Sequence, residues 1–226
     1  FIKCSDADYV IMSDCDVVTS LDYNKLYDAH IKSGADITAV YAKSNLDLDA
    51  AAHTNVFGIN NEGRINNVLI APEISGECNI SLNTYIISKP LLMSMITDAA
   101  AKGIYSFAKS ILQAQCGRYK IMAYKHEGYF SKITSIKSYY DANMALLDTE
   151  SRKKLFPDNA PVYTKIRDNP PAKFAIGAKV KNSLIADGCI IEGTVENSIL
   201  FRGAKVAKGA VVKDCVIMQD SVIGKN

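Results

Sequence analysis

The residues best placed to do chemistry are Asp14 and Asp16, in Ser13-Asp14-Cys15-Asp16 directly after the apolar run Tyr9-Val10-Ile11-Met12. An apolar run ending in carboxylates reads as a buried strand that delivers charged oxygens to its C-terminal end. Asp after a strand is also a common cap or turn residue, and Asp14 is read as capping or solvating its own loop. Other chemistries find less support. His30, His53 and His126 show no partner spacing and read as surface or satisfied core residues. The six cysteines (4, 15, 78, 116, 189 and 215) contain no Cys-x-x-Cys pair, which argues for reduced core thiols rather than a zinc site or a disulfide scaffold.

Around those carboxylates the first 150 residues alternate strand-like and helix-like patterns. Asp22 can cap a helix that carries Leu26, Ala29 and His30 and stops at Gly34. Residues 36–42 read as a strand, 56–60 and 65–70 as a hairpin around Asn61-Glu62-Gly63-Arg64, and 80–88 as another strand. Pro90 opens a helix that runs to Gly103. A short helix near 107–115, a strand at 119–124 and a helix at 135–147 complete the part. Strands alternating with helices predict an α/β layer with a mixed sheet, and ligands at its strand ends.

Residues 151–174 contain Pro157, Pro161, Pro170 and Pro171 and read as a linker. After it the period becomes six: Leu200, Val206, Val212 and Met218 are spaced by six, as are Ile185 and Ile191. Ala204, Ala210, Val216 and Val222 follow four residues behind the first group, and Gly177, Gly188, Gly193, Gly203, Gly209 and Gly224 mark corners. Hexapeptide spacing predicts a parallel β-helix over 175–226, with these apolar hexads inside. It amounts to under three coils. The sequence opens Phe1-Ile2-Lys3 and stops at Ile223-Gly224-Lys225-Asn226 in mid-pattern, so an internal fragment is expected.

With 226 residues, 48% of them apolar, the chain can bury proper cores and is not read as disordered. A net charge of +2 without a basic tail argues against a nucleic-acid partner. The absence of a long apolar run argues against a membrane span, and a soluble, cytoplasmic protein is expected.

Several motifs arrive in an order that resembles the sugar-phosphate nucleotidyltransferases, and among them the glucose-1-phosphate adenylyltransferase family. They are the strand into Cys15-Asp16, Phe57-Gly58-Ile59, the Ser81-to-Tyr85 strand, Tyr139-Tyr140-Asp141-Ala142-Asn143 and Pro170-Pro171-Ala172-Lys173-Phe174. The opening FIKCSDADYVIMSDCDVV is most similar to the GlgD-type subunit of bacterial glycogen synthesis. The resemblance implies a nucleotide-diphospho-sugar transferase-like mixed-sheet domain, here incomplete, followed by a left-handed parallel β-helix. It also implies a reaction in which a sugar phosphate attacks the α-phosphorus of ATP, with Mg²⁺ held by carboxylates and cationic clamps on the phosphates. Asp16 falls on the first metal-binding aspartate, and Gly58 and Ser81 fall where the family contacts glucose 1-phosphate.

Two positions depart from the family. Its Glu-Lys-Pro reads Ile70-Ala71-Pro72, so Ala71 replaces the lysine that grips the sugar phosphate. Its Trp-Arg-Asp-Val-Gly-Thr reads Phe130-Ser131-Lys132-Ile133-Thr134-Ser135, so Lys132 replaces the second metal aspartate. The Gly-rich loop that cradles nucleotide phosphates in the family is missing from the sequence. These departures imply no Mg²⁺ here and a non-catalytic regulatory subunit, paired with an active homologue or with itself. An active nucleotidyltransferase, and a scaffold subunit of another assembly with the same two domains, are the alternative readings. Lys132 could instead hold a phosphate. A small anionic effector could be met by Lys173, beside the plainer reading of a solvated lysine.

Overall fold

A computed structural model of the protein describes residues 2–103, 106–158 and 160–225, so Phe1 and Asn226, at the two ends of the sequence, lie outside the described residues. The chain divides into two compact units, Phe1–Thr134 and Ser135–Asn226.

In the first unit the strands are β1 (Tyr9–Ser13), β2 (Val17–Thr19), β3 (Ile37–Leu46), β4 (Asn55–Ile59), β5 (Ile65–Ile70), β6 (Gly76–Ser88), β7 (Ile121–Lys125) and β8 (Phe130–Lys132). The helices are α1 (Tyr23–Ser33), α2 (Leu48–Ala51) and α3 (Lys89–Ala101), with a wide π-type turn at Ala108–Gln113. Six strands form one mixed sheet in the order β5-β4-β6-β3-β7, with β1 also paired to β6. β3 and β7 are parallel, whereas β1, β3 and β4 each run antiparallel to β6. Both faces are covered. Ile37 and Ala39 of β3 join Tyr85 and Ile87 of β6 in one core, while Val40 and Ala42 join Ile80, Leu82 and Ile86 in the other. That alternation explains why these strands read as continuous apolar runs.

Local signals in this unit act as expected. The Asp22 carboxylate accepts from the Asn24 and Lys25 N–H groups at 3.0 and 3.3 Å, and Gly34 ends α1 in the left-handed region. The β4–β5 turn is held by the Asn60 side chain, which accepts from the N–H groups of Glu62 and Arg64. Pro90 lies in the first turn of α3.

The second unit begins with α4 (Ile136–Met144), a 3₁₀ turn (Ala145–Leu147) and α5 (Thr149–Leu155). The boundary differs from the one expected after residue 150, because α4 packs with the solenoid: the Tyr140 hydroxyl donates to the Asp214 carbonyl at 2.9 Å. α5 extends to Leu155, into the first residues of the stretch 151–174 read as a linker. The Asp148 carboxylate caps this helix, and Arg152, Lys153 and Lys154 fall in its last turn, where the dipole favours cations.

A parallel β-solenoid of three turns follows, built from β9 (Lys173–Phe174), β10 (Lys179–Lys181), β11 (Leu184–Ile185), β12 (Ile190–Ile191), β13 (Thr194–Glu196), β14 (Ile199–Leu200), β15 (Lys205–Val206), β16 (Val211–Lys213), β17 (Val216–Ile217) and β18 (Val222–Ile223). Its three sheets are β10-β13-β16, β11-β14-β17 and β9-β12-β15-β18. Cys189, Ile191, Val195, Leu200, Ala204, Val206, Ala210 and Val212 fill the interior.

The strict period of six fails beyond Val212. Leu200 stacks on Ile217, and Val206 on Ile223, each 17 residues on rather than the 18 of three full hexads. Met218 and Val222, expected inside, are therefore 49% and 67% exposed, and Ile217 and Ile223 pack against the core instead. The missing residue is lost at a corner turned by Asp214 at φ +50. Asn182 and Asn197 turn the equivalent corners at φ +43 and +47. Their side chains form a ladder: the Asn182 amide donates to Asn197, and the Asn197 amide to the Asp214 carboxylate. Asn and Asp tolerate this backbone region, so these corners need no glycine.

Candidate functional site

Asp16 sits in the short link between β1 and β2. β2 pairs antiparallel with β8, placing Val17 opposite Lys132, and the Ile133 N–H donates to the Asp16 carbonyl at 2.7 Å. The β2–β8 pairing therefore brings Asp16 into the neighbourhood of Lys132, although the sequence separates them by more than a hundred residues. Asp16 Oδ1 and Lys132 Nζ are both buried and have no hydrogen-bond partner among the described residues. Burial pulls the Lys132 ammonium below the usual lysine range, while the Asp16 and Asp14 carboxylates pull it back up.

Asp14, two residues before Asp16, lines a cavity of about 390 Å³ with Met12, Ser13, Asn55, Asn83 and Tyr85; Asp16 and Lys132 are not among its lining residues. A bulge in β6 aims it: Ala39 pairs with Tyr85 and Tyr41 with Ser81, so three residues of β6 face Val40 alone. Asn83, at the centre of the bulge, has φ +48, and its carbonyl accepts from the Asp14 N–H at 3.2 Å. The Tyr85 phenol is pushed up to about 12, first by burial and then by the Asp14 and Asp16 charges, against an opposing hydrogen bond with Ser81. Both carboxylates thus project their field to the cavity end of β6.

The structure treats the remaining sequence-derived positions unequally. Ser81 is fully buried, and its Oγ accepts from the Asn83 N–H at 3.0 Å while also bonding the Asn83 side chain and Tyr85 hydroxyl. It holds the bulge, and the cavity is lined by its neighbours Asn83 and Tyr85. Gly58 packs tightly on β5: a Cβ there would lie 3.0 Å from Asn67 Cβ and 3.2 Å from Asn66 Oδ1. Ala71 is exposed at the end of β5, with φ +45 and its N–H bonded to the Thr54 carbonyl at 3.1 Å.

Lys173 opens the solenoid, donating its N–H to the Cys189 carbonyl at 2.8 Å, with its side chain exposed. The histidines are accounted for structurally. His30 Nδ1 lies 2.8 Å from Thr38 Oγ1, His126 Nε2 lies 3.0 Å from Thr19 Oγ1, and His53 is exposed.

Asn55, Asn83 and Tyr85 escaped the reading of the sequence. Ser81, Asn83 and Tyr85 alternate along one strand, a spacing that could have exposed the cluster. The bulge that turns Asn83 towards the cavity leaves no mark in the pattern.

Among the described residues no group of three His, Cys, Asp or Glu side chains is placed to hold a metal, and no helix is long and apolar enough to cross a membrane. The charged pair at the site is one carboxylate and one ammonium. A carboxylate oxygen is a ligand for a hard cation, whereas an ammonium has only protons to donate.

A mixed α/β sheet that carries charged groups at the end of its β1 strand, followed by a hexapeptide solenoid, is a two-part architecture, and comparison with known proteins defines both parts. Residues 170–226 match the GlmU-like C-terminal hexapeptide family. The chain as a whole is similar in sequence to glucose-1-phosphate adenylyltransferases. It is 33% identical over 229 aligned residues to the glucose-1-phosphate adenylyltransferase of Bacillus cereus and likewise 33% to that of Bacillus thuringiensis, covering 100% of this chain and 60% of each relative. It is 32% identical to that of Clostridium perfringens, over 99% of this chain and 58% of the relative. The chain thus spans about 60% of the length of the curated relatives it matches.

Proposed function

We propose that the chain belongs to a non-catalytic, regulatory subunit of glucose-1-phosphate adenylyltransferase in bacterial glycogen synthesis. The catalysed reaction, ATP and glucose 1-phosphate to ADP-glucose and pyrophosphate, is then carried by a homologous partner subunit. The observation that carries this reading is Lys132 beside Asp16, where transfer of a nucleotidyl group calls for carboxylates around a divalent ion. At an effective dielectric near 20, unit charges about 4 Å apart interact by about 4 kcal/mol. A dication bound at Asp16 would lose a ligand and meet that repulsion twice over.

Ala71 removes a second charge, since an alanine side chain can grip no phosphate. The subunit acts on its partner through a coupling free energy between the two, typically about 1–3 kcal/mol, and not through bond chemistry of its own. Phe174, Ile176, Val211 and Val222 are exposed apolar side chains on the solenoid and offer it surface for subunit contact. An active adenylyltransferase is the second reading, favoured by the names of the homologues and opposed by Lys132 and Ala71.

The test restores what the family has. Lys132→Asp combined with Ala71→Lys in the full-length polypeptide is expected to create binding of Mg²⁺ or glucose 1-phosphate, read by calorimetry. A double variant that gains neither would contradict the assignment of these two positions.

A further inference from the structure

The charge of the chain is unevenly placed. Residues 152–181 carry eight Lys and Arg against two Asp, in a protein whose net charge is +2. The stretch runs from the last turn of α5 to β10, within the second unit. Lys154, Lys165, Arg167, Lys173 and Lys179 are all exposed, and none forms an ion pair among the described residues. Apolar side chains are set among them. Tyr163 and Ile166 are each 90% exposed, and Val162 and Ile176 are exposed too. Phe174 stands in the column that buries Ile191 and Val206, but β9 is the edge of its sheet, so the column covers the ring from one side only and leaves it 53% exposed. Exposed apolar side chains among unpaired cations make a contact surface. Lysines on the edge strands β9 and β10 discourage strand addition, so the contact is one of side chains.

The first unit carries a surface of opposite sign. The β3–β6 register sets Asn45 opposite Glu77 and Leu46 opposite Gly76, and Ala50 and Ile74 pack on one core, which gathers Asp47, Asp49, Glu73 and Glu77 at that end of the sheet. All four carboxylates are exposed, and only Glu77 meets a cation among the described residues, Lys43 at 3.6 Å. Leu48, between the two aspartates, is also exposed. We infer that two copies of this chain associate through these surfaces: the basic, apolar stretch 161–179 of one copy docks on the acidic end of the β3–β6 pair of the other, and a two-fold axis makes the contact twice. Charge selects the pairing, while Tyr163, Ile166 and Phe174 against Leu48 supply apolar area. The inference concerns assembly and holds whether or not the chain is catalytic.

Sedimentation velocity of the full-length polypeptide over a range of concentrations tests it. Self-association is expected, weakening at least about tenfold between about 0.05 M and about 0.5 M NaCl as the charges are screened. Lys173→Glu with Lys179→Glu turns part of the basic face acidic, and Asp49→Lys with Glu73→Lys turns part of the acidic face basic. None of these four side chains belongs to an ion pair among the described residues, and circular dichroism checks that each variant folds. Either double variant alone should associate at least about tenfold more weakly than the parent, because like charges then meet. An equimolar mixture of the two should associate again, since both contacts of the two-fold pair then join opposite charges. Tyr163→Ser with Ile166→Ser should weaken association while leaving its salt dependence in place.

A parent that stays monomeric, association that is indifferent to salt or survives in either charge variant alone, or a mixture that associates no better than its components would overturn the inference. The last result would mean that the two faces meet within one chain, where a second copy cannot repair them. Formation of ADP-glucose by the polypeptide alone would contradict the regulatory reading and leave this one standing, so the two failures are separable.

Discussion

Asp16 and Lys132 are brought into the same neighbourhood by the β2–β8 pairing, with one buried, unpartnered polar atom apiece. The Asp16 and Asp14 carboxylates are the charges that offset burial of the Lys132 ammonium. Truncating one partner of a buried pair leaves an uncompensated charge, whereas replacing both with neutral groups of similar size is often neutral or stabilising. Lys132→Met alone should therefore lower stability by about 1–3 kcal/mol. Asp16→Asn with Lys132→Met should be at least as stable as the parent in urea denaturation. A double variant less stable than the single one would show that the pair is not coupled.

Gly58 is predicted to matter through packing. Its neighbours Asn67 Cβ and Asn66 Oδ1 stand 3.0 and 3.2 Å from where a Cβ would be, at a register irregularity between β4 and β5. Gly58→Ala should cost about 1–3 kcal/mol as overpacking, measured as a fall in the urea midpoint at unchanged slope.

His30 gives the fold a built-in acid sensitivity. It is buried against Thr38 and edge-on to the Tyr9 ring at 5.4 Å, and burial holds its imidazole below the usual value of 6.5. The unfolded chain takes up the proton first, so this contribution is complete above pH 6.5 and is lost as the pH falls towards the lower folded value. Unfolding free energy should decline from about pH 6.5 downwards. His30→Gln, followed by urea titration from about pH 8 to about pH 5, should flatten that part of the curve. An unchanged slope would mean that His30 charges equally in both states.

The shift of phase in the solenoid separates two residues that look equivalent in the sequence. Leu200 is 1% exposed and Met218 is 49% exposed. Leu200→Ala should cost about 2–5 kcal/mol through transfer and cavity terms. Met218→Ala should cost well under half of that, and equal costs would restore the uninterrupted period of six.

Much of the architecture was legible because it depends on local signals. The capping of α1 by Asp22 and Gly34, the Asn60–Arg64 turn and Pro90 at the start of α3 act within a few residues of themselves. The apolar hexads announced a solenoid for the same reason, since each stacks at a nearly fixed distance along the chain. What escaped depends on partners far away. Met218 reads as core until Leu200 is seen stacking on Ile217, and α4 reads as the end of the α/β part until Tyr140 is seen bonding Asp214. The site divides in the same way. Asp16 and Lys132 were found separately by their motifs, but their shared burial and lack of partners belong to the β2–β8 pairing. Asn83 was hidden because a bulge, not a strand alternation, aims it.

The most direct measurement is ADP-glucose formation by the full-length polypeptide with Mg²⁺ present, alone and mixed with its catalytic homologue. The regulatory account predicts no turnover by the polypeptide alone and an altered velocity or effector response in the mixture. Robust turnover alone would contradict it, because a site with Lys132 beside Asp16 and alanine at position 71 would then be doing the chemistry itself.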